Sequence, residues 1–525
     1  MSGRRISDFP ASDANINHTL KWLKSCREGH PACSLGRSEL GSNETVGQAL
    51  PTRLVEINRI GGELKTRLYE TAPNEKGYYS ALSHCWGHSQ ILTTTNENIR
   101  EHCVGIAFPS LSKTFQDTVN ISFKLGVRYL WIDSLCIIQD SSSDWQQESS
   151  RMNLVYQNAL FTIAAEAAAD GQGGCFITRE KPDIQPVDIE YLSSDGKQGK
   201  VYIQGHFPSF EEDILLSPLS KRSWTLQERL LSKRIIHFCK GQIYWECQTT
   251  CIAESGLEMP QVLGIFLGIS RILKPMKEGV DIFQDYQSIY WEWFRLLVVY
   301  TERNLTKNQD KLPALSGLAR EFAQRTGDEY YAGLWFKFLP LGLLWEVKET
   351  ALSYRVPHRA PSWSWASVDG PLGMPHSNPR CPQFRVSILA IHTTLLGKDP
   401  YGQVIDGAIK LRCKLANARC GPTRSPKYLD HPDISAGFYP VRMDDKQEIV
   451  GYYAPDETNR TPESQLTALL IGDVPIPVKK YETHCVLFVE ASGGEDGQYR
   501  RVGMGQIWKS CGLFDEVAEQ EITIV

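Results

Sequence analysis

The apolar and polar positions along the chain fall into two textures. Over residues 70–255, short and nearly continuous apolar runs alternate with amphipathic stretches. YYSALSHCWG (78–87) is a short apolar run stopped by Gly87, and it reads as a buried strand ending in a loop. Between Pro109 and Leu125, residues Phe115, Val119 and Phe123 recur on one helical face, and Gly126 stands where a glycine ends a helix. RYLWIDSLCII (128–138) is a second buried strand. Its unbroken apolar character is expected of a strand covered on both faces of a parallel sheet. This alternation predicts a βα repeat. SSSDWQQESSRMNLVYQNA (141–159) opens with cap-type residues and continues as a helix, and LFTIAAEAA follows as a third strand. Residues 186–205 read as strands around an SSDGKQG turn, and 217–232 as a helix followed by strands RIIHFC and GQIYWEC.

The flanks differ. Residues 1–69 form a partly helical lead-in around NHTLKWLKSCREGH, with a polar stretch to Gly47 and a strand at 52–57. Residues 256–345 are mostly helical, and the aromatic stripe Tyr290, Trp291, Trp293 and Phe294 reads as core. Residues 346–525 are β-rich: FRVSILAIHTTLLG, GAIKLRCKLA, THCVLFVEA and YRRVGMGQIW are strand-like runs divided by turns, mainly antiparallel over 380–515. Protease-sensitive boundaries are expected near 346–360 or 420–435. The predicted class is α/β: a mostly parallel sheet with helices on both faces, a helical segment and a β-rich C-terminal unit.

Composition narrows the function classes. The chain has 525 residues, with 56 basic against 61 acidic side chains, a net charge of −5. It lacks the dense basic face of a nucleic-acid binder. No apolar run reaches the ~18 residues needed to span a bilayer, and the N-terminus lacks the apolar core of a secretory signal. A cytoplasmic setting without a membrane partner is expected. The 14 cysteines are sparse and irregular, so they read as reduced, mostly buried thiols.

Candidate chemistry gathers at the strand ends. Asp133 follows one apolar run, and Ser83 and His84 end another. If both strands are parallel, these residues lie at the C-terminal edge, where open α/β sheets bind ligands. Asp133 is suited to hold a ligand group, to pair with an arginine such as Arg128 or Arg222, or to cap the next helix; Ser83 and His84 would line the cleft. Trp86-Gly87 reads as a close backbone turn packed by an indole. There is no G-x-S-x-G elbow, and Ser83 and His84 face opposite sides of a strand, so they form no dyad. No G-x-G-x-x-G or G-x-x-x-x-G-K-[ST] cradle is present. Cys26-x3-His30-x2-Cys33 brings together three metal-ligand types, but no fourth is evident and the spacing matches no standard finger. No stoichiometric zinc is therefore expected, and Cys247-x3-Cys251 is weaker still.

Four segments together resemble the fungal heterokaryon-incompatibility (HET) domain: YSALSHCWG (79–87), LSKTFQDTV (111–119), RYLWIDSLCIIQD with the trailing DWQQESSRMNLVY (128–156), and RSWTLQERLLSKRIIHF (222–238). DKLPALSGLA, YYAGLW with LPLGLLW, and APSWSWASVDG resemble stand-alone members. The resemblance implies a TIR/flavodoxin-like sheet and a role in self/non-self recognition or cell death. It also implies cleavage of NAD, as substrate rather than cofactor, at the nicotinamide–ribose bond, with self-assembly or a protein partner involved. Trp224 to Glu228 has the W-x-x-x-E spacing of the catalytic helix in NAD-cleaving TIR domains, and i and i+4 share one helix face. Glu228 and Asp133 would then be catalytic, while Trp224, Ser83, His84, Trp86 and Arg222 would bind substrate. Thr225 stands where the family usually has a cysteine. The alternatives are a cyclase, pericyclase or dehydratase of secondary metabolism acting on a small apolar substrate, and a non-catalytic interaction module.

Overall fold

The apolar run at 79–83 forms a strand whose five residues are all buried. It occupies the middle of the first of two compact units, Met1–Gly264 and Ile265–Val525. The computed structural model describes residues 6–7, 9–34, 47–87, 90–179, 187–194, 196–203, 208–259, 282–348, 352–373, 383–420, 439–443, 449–458, 465–474, 482–493 and 497–525. The polar stretch 35–46, the segment 260–281, parts of the 346–360 boundary and most of 420–435 lie outside the described residues.

The first unit begins with α1 (Asp13–Gly29), which Ser12 caps by accepting a hydrogen bond from the Asn15 amide. Its strands are β1 (Arg53–Ile60), β2 (Glu63–Glu70), β3 (Tyr79–Ser83), β4 (Tyr129–Trp131), β5 (Phe161–Ala164), β6 (Arg234–Phe238), β7 (Ile243–Cys247), β8 (Cys251–Ala253) and β9 (Glu258–Met259). The connecting helices are α2 (Lys113–Lys124), α3 (Ser142–Ser149), α4 (Met152–Asn158) and α5 (Ser223–Leu231). Among the described residues these strands form one sheet in the order β9-β8-β7-β6-β5-β3-β4-β1-β2.

The two strands separated by α2 are adjacent and parallel, with Ser80 opposite Leu130 and Ala81 opposite Trp131. β5 lies parallel on the other edge of β3, and β6 parallel to β5. The chain thus winds from β3 to β4 in one direction, then returns past β3 to β5 and β6. The expectation of a mostly parallel sheet needs correction. Parallel pairing is confined to this four-stranded centre, and the flanks β1–β2, β4–β1, β6–β7, β7–β8 and β8–β9 are antiparallel. The physical reason is connection length. Gly61 and Gly62, both with positive φ, turn β1 directly into β2. A short turn likewise joins β6 to β7, whereas a parallel neighbour needs a crossover of roughly a dozen residues or more. A separate hairpin, Val187–Leu192 with Gln198–Ile203, forms around the Gly-containing turn.

The second unit combines α6 (Ile282–Thr301) and α7 (Ser316–Thr326) with β10 (Ser387–Leu395), β11 (Val404–Cys420), β12 (Tyr439–Arg442), β13 (Ile449–Pro455), β14 (Gln465–Val474), β15 (Thr483–Ala491), β16 (Gln498–Trp508) and β17 (Glu519–Ile524). The pairing β11-β12-β13-β16-β15-β14 returns to β11, so six antiparallel strands close on themselves. Closure removes free edges, and Val441, Tyr453, Ala468, Val486 and Phe488 are packed together in one core cluster. The aromatic stripe is core, as its spacing suggests: Tyr290, Trp293 and Phe294 are buried, and Phe322 stacks on Trp335 at 4.4 Å.

Arg501 on β16 is 0 % exposed. Its guanidinium pairs with Asp456 at 3.0 Å, lies 3.4 Å over the Trp345 ring, and donates to the Leu343 and Trp345 carbonyls. Removing Arg501 leaves the buried Asp456 with Arg355 alone, at 3.2 Å, and breaking such a buried pair typically costs about 3–5 kcal/mol. Arg501→Leu is therefore expected to lower the stability of the second unit by that amount in urea denaturation. A change below about 1 kcal/mol would show that the pair is neutral to folding.

Candidate functional site

The site is built where β3 and β4 end. Ser83 is the last residue of β3, and its hydroxyl donates to Glu228 Oε2 on α5. The Glu228 carboxyl is only 6 % exposed. Tyr156 of α4 donates to the Leu82 carbonyl at 3.1 Å and favours the ionised form of the same carboxyl. Burial pushes the Glu228 pKa up to about 7, against the opposing influence of the Ser83 hydrogen bond and the Arg222 charge. At neutral pH this carboxyl is poised between its two forms.

Beside it, His84 is buried and its ring meets Phe115 edge-on at 5.1 Å. Burial pushes its pKa down to about 4, so it is a neutral imidazole at pH 7. Its Nε2 has no hydrogen-bond partner among the described residues. Arg222 donates to the His84 carbonyl. Asp133, just past β4, is half-buried. Its Oδ2 accepts from Trp86 Nε1 at 2.8 Å, its Oδ1 accepts from the Ser134 amide at 2.7 Å, and His84 Nδ1 is 3.8 Å away. Gly87 closes the Trp86 turn at φ +64°, and a Cβ there would meet Asp170 Cβ at 2.2 Å, so no other residue fits.

Hydrogen bonds and charge contacts therefore connect Ser83, His84, Trp86, Asp133, Arg222 and Glu228. Trp224, one turn before Glu228, is half-buried on the same helix. A polar cleft of about 390 Å³ opens at the N-terminus of α2, lined by Gln90, Ser112, Lys113, Gln116 and Gln172 among others. The lining does not include Glu228 or Asp133, but the carbonyl of its Leu92 accepts a hydrogen bond from Ser134 at 3.1 Å.

Sequence reasoning missed Tyr156 and a second buried network. His237 on β6 binds Glu166 through Nδ1 at 2.7 Å and Glu246 through Nε2 at 2.9 Å, and Arg229 donates twice to Glu246. Burial opposes charge on His237, but the two carboxylates outweigh it and raise its pKa. Burial likewise works against the Glu246 anion, yet Arg229 and His237 hold its pKa at about 2. The available signal was a lone histidine inside RIIHF and a glutamate inside the alanine run that follows β5.

Residues 79–228 match the family model described as Heterokaryon incompatibility protein (HET). The chain carries a HET domain. No curated protein and no solved structure matches the chain significantly. The matched span begins at the first residue of β3 and ends at Glu228 itself, so it encloses every residue of the Ser83–Glu228 and Asp133 contacts. No helix among the described residues is long and apolar enough to cross a membrane.

The raised carboxyl pKa sets the pH dependence of stability. Below about pH 4 Glu228 is neutral in both the folded and unfolded states. As pH rises towards 7 the unfolded chain ionises first, so the folded state loses stability, by about 3 kcal/mol in all. Glu228→Gln lacks this loss. Denaturation at pH 5 and pH 8 is expected to show the variant gaining on the wild type as pH rises. A difference that stays constant with pH would mean that Glu228 does not titrate in this window.

Proposed function

We propose that this HET domain acts in self/non-self recognition or cell death by cleaving NAD at the nicotinamide–ribose bond, with Glu228 as the carboxylate facing the ribose. The observation that carries the reading is Glu228 itself: a buried carboxyl, held by Ser83 at the end of the central strand, with a pKa near 7 and with Asp133, His84 and Arg222 in the same polar group. Perturbed carboxyls at the C-terminal edge of a parallel sheet are characteristic of functional sites. The order of the four parallel strands, second-first-third-fourth along the chain, is that of flavodoxin-like sheets, which supports a TIR-like relationship.

The chemistry follows from the charge. When the C1′–N bond breaks, nicotinamide leaves neutral and the ribose becomes oxocarbenium-like. An ionised carboxylate alongside stabilises that charge, and water then adds at C1′ and releases a proton. Trp224 on the same helix face would stack on nicotinamide, and Asp133 would hold a ribose hydroxyl. At 6 % exposure Glu228 meets a substrate only when the site opens, in keeping with activity that depends on assembly.

The assay is nicotinamide release from NAD by concentrated or assembled protein. Glu228→Gln is expected to slow release by about 10²–10⁴-fold. Wild-type activity is expected to rise with pH through about 7, as Glu228 loses its proton. Equal rates for wild type and variant would remove Glu228 from the mechanism. Absence of release from assembled wild type would remove NAD cleavage and leave the biosynthetic or binding alternatives.

A further inference from the structure

The premise that the Cys26, His30 and Cys33 group lacks a fourth ligand does not hold in three dimensions. Cys26 lies in the last turn of α1, His30 follows that helix, and Cys33 lies in the short helix Pro31–Ser34. Cys247, the last residue of β7, joins them, and the four ligand atoms all lie within 4.8 Å of one another. His30 Nδ1 is 3.5 Å from Cys247 Sγ and 4.0 Å from Cys33 Sγ. A tetrahedral zinc with bonds of about 2.0–2.3 Å has ligand–ligand edges of about 3.5–3.8 Å. The cluster is therefore close to the required size before any ion draws it in.

We propose that Cys26, His30, Cys33 and Cys247 form a structural zinc site that fastens α1 to the β7–β8 hairpin. Three sulfurs and one imidazole nitrogen are a donor set suited to zinc, and four protein ligands leave no open position for substrate. Binding displaces the three thiol protons to solvent, and His30 coordinates as the neutral ring.

A second observation points the same way. Arg234 on β6 is only 7 % exposed, and among the described residues its polar partners are the Cys26 sulfur and the Leu160 and Cys33 carbonyls, none of them a carboxylate. Its Nε donates to Cys26 Sγ at 3.3 Å and its Nη2 to the Cys33 carbonyl at 2.8 Å. An uncompensated guanidinium is costly to bury. A divalent ion held by three thiolates carries a net charge of −1, the counter-charge that Arg234 lacks. The surroundings also provide for thiolates. The Thr249 hydroxyl is 3.6 Å from Cys33 Sγ. Such outer partners orient and stabilise metal ligands.

The test uses the full chain purified under reducing conditions without chelator. Elemental analysis is expected to find one zinc per chain, retained by Cys251→Ser and reduced to background by Cys247→Ser and by Cys26→Ser. Because those two variants remove buried groups and can fail to fold, the wild type is also stripped and reloaded with cobalt(II). Intense tetrahedral d–d bands with sulfur-to-cobalt charge transfer are expected, and they should disappear on adding zinc. A wild type that holds no zinc and gives no such spectrum overturns the proposal, as does a Cys26–Cys33 disulfide in the reduced preparation. Zinc that persists undiminished in folded Cys247→Ser overturns the assignment of the fourth ligand.

Discussion

The first unit depends on the parallel pairing of Tyr79–Ser83 on both of its edges. A strand with parallel neighbours on each side must be reached and left by crossovers, and crossovers place chain over the faces of the sheet. This explains why all five residues are buried although two are serines. It also fixes where polar chemistry can emerge. Ser80, inside the strand, is satisfied by Ser122 of α2 at 2.8 Å. Ser83, at the open end, meets a side chain from a helix 145 positions later. One residue type serves packing at one end of the strand and the candidate site at the other.

Two acidic groups in the same unit show how partners and burial together decide charge. Glu246 faces Arg229 and His237, and these hold it ionised far below neutral pH. Glu228, at 6 % exposure against 28 % for the Glu246 side chain, receives the Ser83 hydroxyl and the charge of Arg222 but no ion pair among the described residues, and burial raises its pKa to about 7. Fully paired networks of the first kind serve structure. A carboxyl left partly uncompensated is the kind of group that proteins reserve for chemistry. The contrast favours Glu228 over Glu166 or Glu246 as the reactive group, even though the His237 network has shorter contacts with an imidazole.

What was legible in the sequence is what depends on near neighbours. The buried runs at 79–83 and 129–131, the amphipathic α2, the Gly87 turn and the shared face of Trp224 and Glu228 all follow from local periodicity or backbone sterics. Strand partners do not. GQIYWEC reads equally well as a parallel or an antiparallel strand until the short turn before it is weighed. Nothing in the alternation of β11 records that it pairs with β14 to close the second unit. The fourth member of the cysteine–histidine cluster was invisible for the same reason: Cys247 is 217 positions from His30. Spacing rules find metal sites whose ligands come in neighbouring pairs, and a ligand delivered by a distant strand escapes them.

The β6–β7 register ties these features together. Arg234 pairs with Cys247, and Ile235 with Glu246, across the hairpin. One slip of that register would take Cys247 away from the cluster and turn Glu246 to the other face of the sheet, away from Arg229. Arg229 is the residue after Glu228 on α5, so the position of the candidate carboxylate is linked to the hairpin through one ion pair at 3.0 Å. α1 adds Trp22 against Trp245, with ring centroids 6.5 Å apart, on the strand that carries both Glu246 and Cys247. Although α1 precedes the matched HET span, it packs against the strand that orients α5. The lead-in therefore belongs physically to the domain whose site it helps to hold in register.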